Sequence, residues 1–245
     1  MSEIKKDQIN FLILAGGNSS RIQSKFPGKQ KITLDINNKP FIGYLLEKIS
    51  SEGFTKVVIS LGFKAKEAKK IIDQIKPDNI EISYVVENEK LGTGGAIFNS
   101  LSSIESDIFF VLNGDSYTNY PFCDFLSRTQ KINANFSMLL TRVADSSRYG
   151  TVYLQDNKIS SFVEKRNVCV SGLINAGCYI FKKSRIDRYF EGKDKEFSLE
   201  FDVFPEIIES GEIYGIVSER EFIDIGIPED FQRARIFFQD LDFKA

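Results

Sequence analysis

The chain has 245 residues, of which 42% are hydrophobic and 27% are charged, and its formal net charge is −2. This is the composition of a globular protein with one sizeable core, and it lacks the basic surplus of a nucleic-acid-binding protein. The sequence has no histidine, which excludes Ser-His-Asp and Cys-His catalysis and histidine-ligated metals, and leaves phosphoryl or nucleotidyl transfer as the chief chemistry that charged groups and backbone can carry alone.

The first half of the sequence alternates predicted strands with predicted helices. Short apolar, β-branched runs predict buried strands at residues 9–14, 56–60, 82–86 and 108–112. Apolar residues that share one helical face predict helices over 41–49 and 65–75, and a third helix is expected over 93–101. This alternation is typical of a parallel, doubly wound sheet.

After about residue 134 the predicted strands follow one another with few helices between them. They cover residues 135–143, 151–155, 158–166 and 173–181, and helices are expected around 199–209 and from Pro228, which suits a first helical turn. We therefore expect an α/β fold: a single-domain, Rossmann-like, mixed but mostly parallel sheet flanked by helices. The domain would span residues 1–245, with one half at about 1–134 and the other at about 135–245.

The cysteines and the N-terminus indicate the compartment. Cys123, Cys169 and Cys178 form no CxxC pair and are odd in number, so neither a disulfide framework nor a zinc site is expected. The apolar run at residues 11–15 is too short for a membrane span and lacks the pattern of a signal peptide. We expect a cytoplasmic protein without a membrane partner.

The first predicted strand ends in a turn that contains two glycines. Gly16 and Gly17 let the backbone approach a ligand closely, and free N–H groups in such a turn can bind an anion. A plain turn explains the two glycines equally well, and the GxGxxG dinucleotide fingerprint is absent. Lys25 and Lys29 suit a solvated loop, whereas Lys31 opens KITLDI, a predicted strand that would aim its side chain.

Two further loops follow predicted strands and contain unusual residues. Glu87 ends one strand and is followed by Gly92 and Thr93, which suit a helix start with Thr93 as N-cap, although a simple tight turn is the alternative. Asp115 ends another strand, and Asp224 follows a short strand late in the chain. An aspartate alone at such a position is more often a turn or cap residue than a metal ligand.

Taken in order, these segments resemble the sugar-phosphate nucleotidyltransferase family. GGNSSRI, a lysine ten positions after Arg21 and an Asn-Asn-Lys-Pro turn are similar to the family's GGxGTRL, PK and GKP, with Ser19 in place of Gly, Ser20 in place of Thr and Gln30 in place of Pro. LNGD, RYG, VEK, NAG and FIDIGIPEDF extend the resemblance from residue 11 to about 235. Within the family, the sequence is most similar to the short D-glycero-D-manno-heptose 1-phosphate guanylyltransferases, and we expect no C-terminal β-helix.

The resemblance implies a cytoplasmic enzyme that joins a nucleoside triphosphate to a sugar 1-phosphate and releases pyrophosphate. It implies that residues 1–134 bind the nucleotide and residues 135–245 the sugar phosphate. It further implies that Asp115 and Asp224 hold Mg²⁺, which prefers carboxylates, phosphate oxygens and water, and that Arg21 and Lys31 are catalytic cations.

The resemblance also assigns binding residues to each substrate. The nucleotide would be bound by Ala15, Gly16, Gly17, Asn18, Ser19, Ser20, Glu87, Gly92 and Thr93. The sugar phosphate would be bound by Tyr149, Gly150, Glu164, Lys165 and Asn175. Without the other motifs, Glu164 and Lys165 would suit an ordinary exposed strand end.

The identity of Glu87 favours guanine as the base. A carboxylate only accepts hydrogen bonds, and guanine offers two adjacent donors, whereas uracil offers one N–H between two carbonyls and cytosine a lone pair. A good bidentate pair is worth roughly 1–3 kcal/mol of discrimination. We therefore expect GTP as donor and GDP-heptose as product, for surface polysaccharide or lipopolysaccharide synthesis; an exposed Glu87, with the base read by backbone, is the alternative.

Other functions remain open from the sequence. A cytidylyltransferase, or a uridylyl- or thymidylyltransferase, could act on another phosphorylated acceptor, and mannose or another hexose could replace heptose. A non-catalytic regulatory subunit that binds a nucleotide sugar is the alternative from a different class. The C-terminal helix, with Phe231, Ile236, Phe237 and Phe238, could bury these residues in the core or in a homodimer.

Overall fold

A nine-stranded mixed sheet forms the centre of the molecule in the computed structural model, which describes residues 5–17, 25–163 and 170–240. The described strands are β1 (Asn10–Ala15), β2 (Asp35–Ile36), β3 (Lys39–Pro40), β4 (Lys56–Leu61), β5 (Glu81–Val86), β6 (Ile108–Asn113), β7 (Ser116–Thr118), β8 (Phe136–Val143), β9 (Thr151–Gln155), β10 (Lys158–Val163), β11 (Gly172–Lys182), β12 (Ile213–Ser218) and β13 (Phe222–Asp224). The α-helices are α1 (Phe41–Ser51), α2 (Ala65–Ile75), α3 (Gly92–Ser100), α4 (Phe122–Lys131), α5 (Lys183–Ile186), α6 (Phe204–Glu209) and α7 (Pro228–Asp240). A π-helical turn, Leu199–Val203, leads into α6, where the sequence predicted one continuous helix.

The sheet combines a parallel part with an antiparallel part. Its strand order is β5-β4-β1-β6-β11-β8-β12-β10-β9. The first four strands pair in parallel, and β11 runs antiparallel to both β6 and β8. Because β9 also pairs with β11, the strands β11, β8, β12, β10 and β9 form a closed ring of paired strands. The predicted mixed α/β sheet is confirmed, and its parallel pairing is concentrated in the first half.

Helices cover both faces of the parallel strands, which explains why those strands are apolar on both sides. Phe11 and Ile13 of β1 face a core that also contains residues of α1, α2, α4 and α7. Leu12, between them, faces a second core that contains residues of α3, α5 and α6. Alternate residues of one strand therefore enter two different cores, and the carboxyl ends of β1, β4, β5 and β6 lie at the same edge of the sheet.

The last helix, α7, belongs to the core. Phe231 and Phe238 are buried, and the Phe238 ring stacks on Tyr44 with 3.8 Å between the ring centroids. Phe237 is partly buried, whereas Ile236 faces outward with 63% of its surface exposed. Of the two locations left open by the sequence, the core therefore accounts for the aromatic residues of this helix. No helix in the described ranges is both long enough and apolar enough to cross a membrane.

Candidate active site

A cavity of about 330 Å³ opens at the carboxyl ends of the parallel strands, where open α/β sheets bind their ligands. It is lined by Leu14, Ala15, Gly16, Gly17, Gln30, Lys31, Ile32, Glu87, Lys90, Gly92, Thr93, Ala96, Asn113, Gly114 and Asp115. The cavity thus brings together the three loops that the sequence singled out after β1, β5 and β6. Of the predicted site residues, Asn18, Ser19, Ser20, Arg21, Glu164 and Lys165 lie outside the described residues.

Lys31 points at the aspartate that follows β6. Its Nζ lies 2.7 Å from Oδ2 of Asp115, and its side chain is 18% exposed. The prediction that Lys31 starts a strand is wrong: residues 31–33 form a 3₁₀ turn, and β2 begins only at Asp35. The 3₁₀ turn is favoured over the predicted strand because the N–H groups of Thr33 and Leu34 donate to carbonyls three residues earlier. The Thr33 hydroxyl also donates to the Gln30 carbonyl.

The backbone brings Asp224 next to Asp115. Strand β13 pairs antiparallel with β7, which places Asp224 opposite Ser116, and the N–H of Ile225 donates to the Asp115 carbonyl at 2.9 Å. On the other side, the N–H of Gly114 donates to the Leu14 carbonyl at 2.9 Å, and a Cβ at Gly114 would lie 2.6 Å from that oxygen. A glycine is therefore required where the Asp115 loop meets the end of β1.

The electrostatics of this pair fit a divalent cation. Burial and the neighbouring Asp115 carboxylate raise the pKa of Asp224 to about 7, against the lowering effect of a hydrogen bond from the Gly226 N–H and of the Lys31 charge. A cation between the two carboxylates would remove their repulsion. No cluster of three or more acidic or cysteine side chains in the described ranges could hold a metal, and Mg²⁺ ordinarily binds through one or two carboxylates and substrate phosphates.

Glu87 lies against the glycine turn rather than out in solvent. The Ser60 hydroxyl donates to Oε1 of Glu87 at 2.7 Å. A Cβ at Gly16 would overlap the Glu87 carboxylate oxygens. Burial raises the pKa of Glu87, against the smaller lowering effects of the Ser60 hydroxyl and of the Leu91 backbone N–H. The carboxylate is thus half-buried in the cavity wall.

The glycine-rich start of α3 is explained by a neighbouring segment, residues 195–200. A Cβ at Gly92 or Gly94 would overlap Phe197, and the Phe197 carbonyl accepts hydrogen bonds from the N–H groups of Gly94 and Gly95. The prediction that Thr93 caps the helix is wrong, because α3 already begins at Gly92. The Thr93 hydroxyl instead donates to Glu200 at 2.6 Å and accepts the Leu199 N–H at 2.8 Å.

The described residues of the predicted sugar half, Tyr149, Gly150 and Asn175, do not line the cavity. Tyr149 is close enough to Asp224 for that carboxylate to raise its pKa, after the larger effect of burial. Gly150 faces the Phe162 ring, which a Cβ would overlap. Both polar ends of the Asn175 side chain have internal partners: Nδ2 donates to the Tyr179 hydroxyl at 2.6 Å, and Oδ1 accepts the Gly177 N–H.

Sequence reasoning missed three polar residues of this region. They are Gln30, whose Nε2 donates to the Ala15 carbonyl at 2.5 Å, Ser60, which binds Glu87, and Glu200, which binds Thr93. Ser60 had a signal in the sequence, because it is a polar residue within the apolar run KVVISL of a buried strand. Glu200 had none, since its partner lies 107 residues away.

Comparison with known proteins agrees with this arrangement. Residues 10–240 match the model of the family described as "Nucleotidyl transferase". A mannose-1-phosphate guanylyltransferase of Mycobacterium tuberculosis is 31% identical over 229 residues, which are 92% of this chain and 63% of the relative, so the chain spans less than two thirds of that protein. A D-glycero-alpha-D-manno-heptose 1-phosphate guanylyltransferase of Aneurinibacillus thermoaerophilus is 31% identical over 224 residues, which are 91% of this chain and 96% of the relative.

A solved structure is similar over almost the whole chain. The crystal structure of HddC from Yersinia pseudotuberculosis has a TM-score of 0.84 and 34% sequence identity, and covers 94% of this chain and 99% of its own. A second structure of HddC, in complex with GMP-PN, has a TM-score of 0.83 at the same identity. The match over residues 10–240 shows that this chain belongs to the nucleotidyl transferase family.

Proposed function

We propose that the protein transfers GMP from GTP to a sugar 1-phosphate, with D-glycero-α-D-manno-heptose 1-phosphate as the acceptor. The products are the GDP-sugar and pyrophosphate. The observation that carries this proposal is the cavity, whose lining contains a double hydrogen-bond acceptor, Glu87, together with Lys31 and Asp115, while Asp224 lies beside Asp115. Glu87 can bind the base, and the charged group can bind the phosphates and their metal ion, so this combination suits a nucleoside triphosphate.

The position of Glu87 supports guanine. The Ser60 hydroxyl holds its carboxylate at the cavity wall. A charged carboxylate can accept two adjacent N–H donors, as the guanine edge presents, and cannot donate to the carbonyls of uracil. Two relatives named guanylyltransferases and the HddC complex with GMP-PN are consistent with this base.

The transfer needs positioning and charge neutralisation more than proton transfer. An oxygen of the sugar 1-phosphate is already an anion near neutral pH, so it can attack the α-phosphorus without a general base, and pyrophosphate leaves. Lys31, held 2.7 Å from Asp115, would place its positive charge beside the reacting phosphates. Asp115 and Asp224 would hold Mg²⁺, which when bound supplies Lewis-acid neutralisation of phosphate charge. Arg21 and Lys165, predicted from the sequence, would add cations to the two phosphate groups.

The acceptor is proposed from the resemblance of the sequence to the heptose 1-phosphate guanylyltransferases. A relative with that name is 31% identical over 224 residues of this chain. Tyr149, Gly150, Glu164, Lys165 and Asn175 are the residues proposed to form the acceptor side of the site.

The test is a panel of nucleotides and acceptors with the purified protein and Mg²⁺. Pyrophosphate release would be measured with GTP, CTP, UTP and dTTP, each with heptose, mannose and glucose 1-phosphates. The highest kcat/KM is expected for GTP with the heptose 1-phosphate. Equal or better turnover with UTP would contradict the assignment of the base, and a preference for mannose 1-phosphate would contradict the acceptor alone. Binding of GTP without turnover on any acceptor would indicate a non-catalytic protein.

A further inference from the structure

We propose that Ser60 is a positioning residue for base selection, which fixes the Glu87 carboxylate so that it can accept both donors of the guanine edge. This inference rests on the proposed function, because it assumes that Glu87 reads the base. Ser60 does not line the cavity, so its action on the nucleotide passes through Glu87.

The surroundings of Ser60 single it out. Its side chain is fully buried in β4, between Leu14 of β1 and Val85 of β5 in the parallel sheet. A hydroxyl buried without a hydrogen bond is costly, so a partner for the Ser60 hydroxyl stabilises this serine in the strand. Its partner is the Glu87 carboxylate, at 2.7 Å from the Ser60 Oγ. The hydrogen bond therefore accounts for the polar residue in an otherwise apolar strand.

The contact also determines which acceptor sites of Glu87 remain. An ionised carboxylate has about four lone-pair sites on its two oxygens. The Ser60 hydroxyl occupies one of them. The remaining sites suffice for the two adjacent N–H donors of guanine.

The same strand fixes the glycine turn relative to Glu87. The end of β4 continues into Gly62, where a Cβ would overlap the Gly16 carbonyl, and the Phe63 N–H donates to that carbonyl at 3.4 Å. Gly16 in turn leaves the space that the Glu87 carboxylate fills. Ser60 thus contacts the Glu87 carboxylate, and Gly62, just after β4, contacts the glycine turn. Loss of the Ser60 hydroxyl would release only the Glu87 carboxylate.

The experiment compares GTP with ITP, whose base lacks the 2-amino group and so offers one donor fewer. For the wild-type protein we expect kcat/KM to favour GTP by about tenfold. In Ser60→Ala this preference should fall at least about fivefold, through a higher KM for GTP, while kcat with saturating GTP and the KM for the sugar 1-phosphate stay within about twofold. Ser137→Ala is the matched control, since Ser137 is another fully buried strand serine, and its Oγ has no hydrogen-bond partner.

A double-mutant cycle separates an action through Glu87 from general loosening of the strand. In a Glu87→Gln background, Ser60→Ala should change the ratio of GTP to ITP by less than about twofold. If Ser60→Ala does not yield folded protein, as judged by its thermal transition, Ser60→Cys replaces it, because a thiol of similar size is a weak donor. The same fall in GTP preference is expected from that variant.

Two results would overturn the role of Ser60. One is an unchanged GTP preference in Ser60→Ala, and the other is an equal effect of the substitution with and without Glu87. Failure of the proposed function is distinguishable, because it shows in the wild-type protein. Base reading by Glu87 is refuted, before any variant is made, if wild-type protein does not distinguish GTP from ITP or prefers another nucleotide.

Discussion

Backbone pairing holds Asp224 beside Asp115. The N–H of Ile225 donates to the Asp115 carbonyl at 2.9 Å, and β13 places Asp224 opposite Ser116 of β7. Two like charges are thereby brought together by the fold, and the pKa of Asp224 rises to about 7, through burial first and the Asp115 charge second. The proposed Mg²⁺, bound between the two carboxylates, would remove this repulsion.

The first prediction concerns stability without divalent cations. The unfolded chain releases the Asp224 proton near pH 4, and the folded chain keeps it until about pH 7. The folded state therefore binds more protons between these values, so the free energy of unfolding falls as pH rises from about 4 to about 7. Asp224→Asn should remove this loss and raise the free energy of unfolding at pH 8 by about 1–3 kcal/mol in EDTA.

Thermal unfolding at pH 5 and pH 8, with EDTA and with Mg²⁺, measures this effect. Wild-type protein should gain stability from Mg²⁺ at pH 8, and Asp224→Asn should gain little while losing metal-dependent turnover. Asp115→Asn should likewise lose turnover with its fold intact. A variant Asp224→Asn that is less stable than wild type in EDTA at pH 8 would show that the repulsion between the two carboxylates is not significant.

The second prediction concerns Lys31. Removal of its charge by Lys31→Met should lower kcat by a factor on the order of 10²–10³, as for other preorganised groups that stabilise transition-state charge. Lys25→Met is the control, since Lys25 is an exposed loop lysine for which no catalytic role is predicted. Steady-state kinetics with saturating substrates provide the comparison, and a loss below about fivefold in Lys31→Met would contradict its catalytic role.

The third prediction uses two adjacent glycines. In Gly16→Ala the new methyl group overlaps the Glu87 carboxylate, which must then turn away, whereas the Cβ of Gly17→Ala has no atom within 4 Å. Gly16→Ala should therefore lower the preference for GTP over ITP by about fivefold or more. Gly17→Ala should keep that preference, whatever its effect on the overall rate. Equal selectivity in the two variants would argue that Glu87 does not touch the base.

The sequence predicted those parts of the fold that depend on local patterns. The apolar runs of β1, β4, β5 and β6 were found because strands buried on both faces carry few polar residues. The cavity residues Glu87, Asp115 and Gly16 were found because they follow such strands, and the carboxyl ends of parallel strands meet at one edge. Lys31 was found through the resemblance of its segment to the family motifs.

The errors arose where hydrogen bonds that the residue pattern does not reveal, whether distant or short-range, override local preference. Thr93 after a glycine suits a helix N-cap, but its hydroxyl binds Glu200 and the Leu199 N–H, which come from the far end of the chain. Lys31 opens a β-branched run, yet short-range hydrogen bonds to Gln30 and Lys31 carbonyls fold it into a 3₁₀ turn. Neither contact has a signature in a single sequence, and the same holds for the convergence of Asp115 with Asp224.

The Thr93 contact leads to a fourth prediction. Thr93→Val keeps the shape of the side chain but leaves the Leu199 N–H and one Glu200 oxygen without this partner. The free energy of unfolding should fall by about 1–3 kcal/mol, the usual cost of an unsatisfied buried group. Urea denaturation provides the measurement. Thr55→Val, whose position precedes β4 and lies away from the cavity lining, is the control and should change stability less.

The last prediction concerns the junction between the sugar half and the C-terminal helix. Asp230 of α7 is 1% exposed and pairs with Arg148 at 2.5 Å and with Arg233 at 3.0 Å. Arg148 precedes Tyr149, which lies near Asp224, so the pair with Asp230 anchors the loop that carries Tyr149. Arg148→Ala should raise the KM for the sugar 1-phosphate about fivefold or more, with the KM for GTP within about twofold.

Arg233→Ala is the matched comparison, since it removes the other partner of the same carboxylate from the helix itself. Arg233 is 62% exposed, so its loss should cost under about 1 kcal/mol of stability and raise the KM for the sugar 1-phosphate less than Arg148→Ala does. Arg148→Ala should cost more, about 1–3 kcal/mol, because it removes the shorter of the two contacts of the buried Asp230 carboxylate, 2.5 Å against 3.0 Å. If both variants shift both KM values equally, the pair serves folding alone and does not position the acceptor loop.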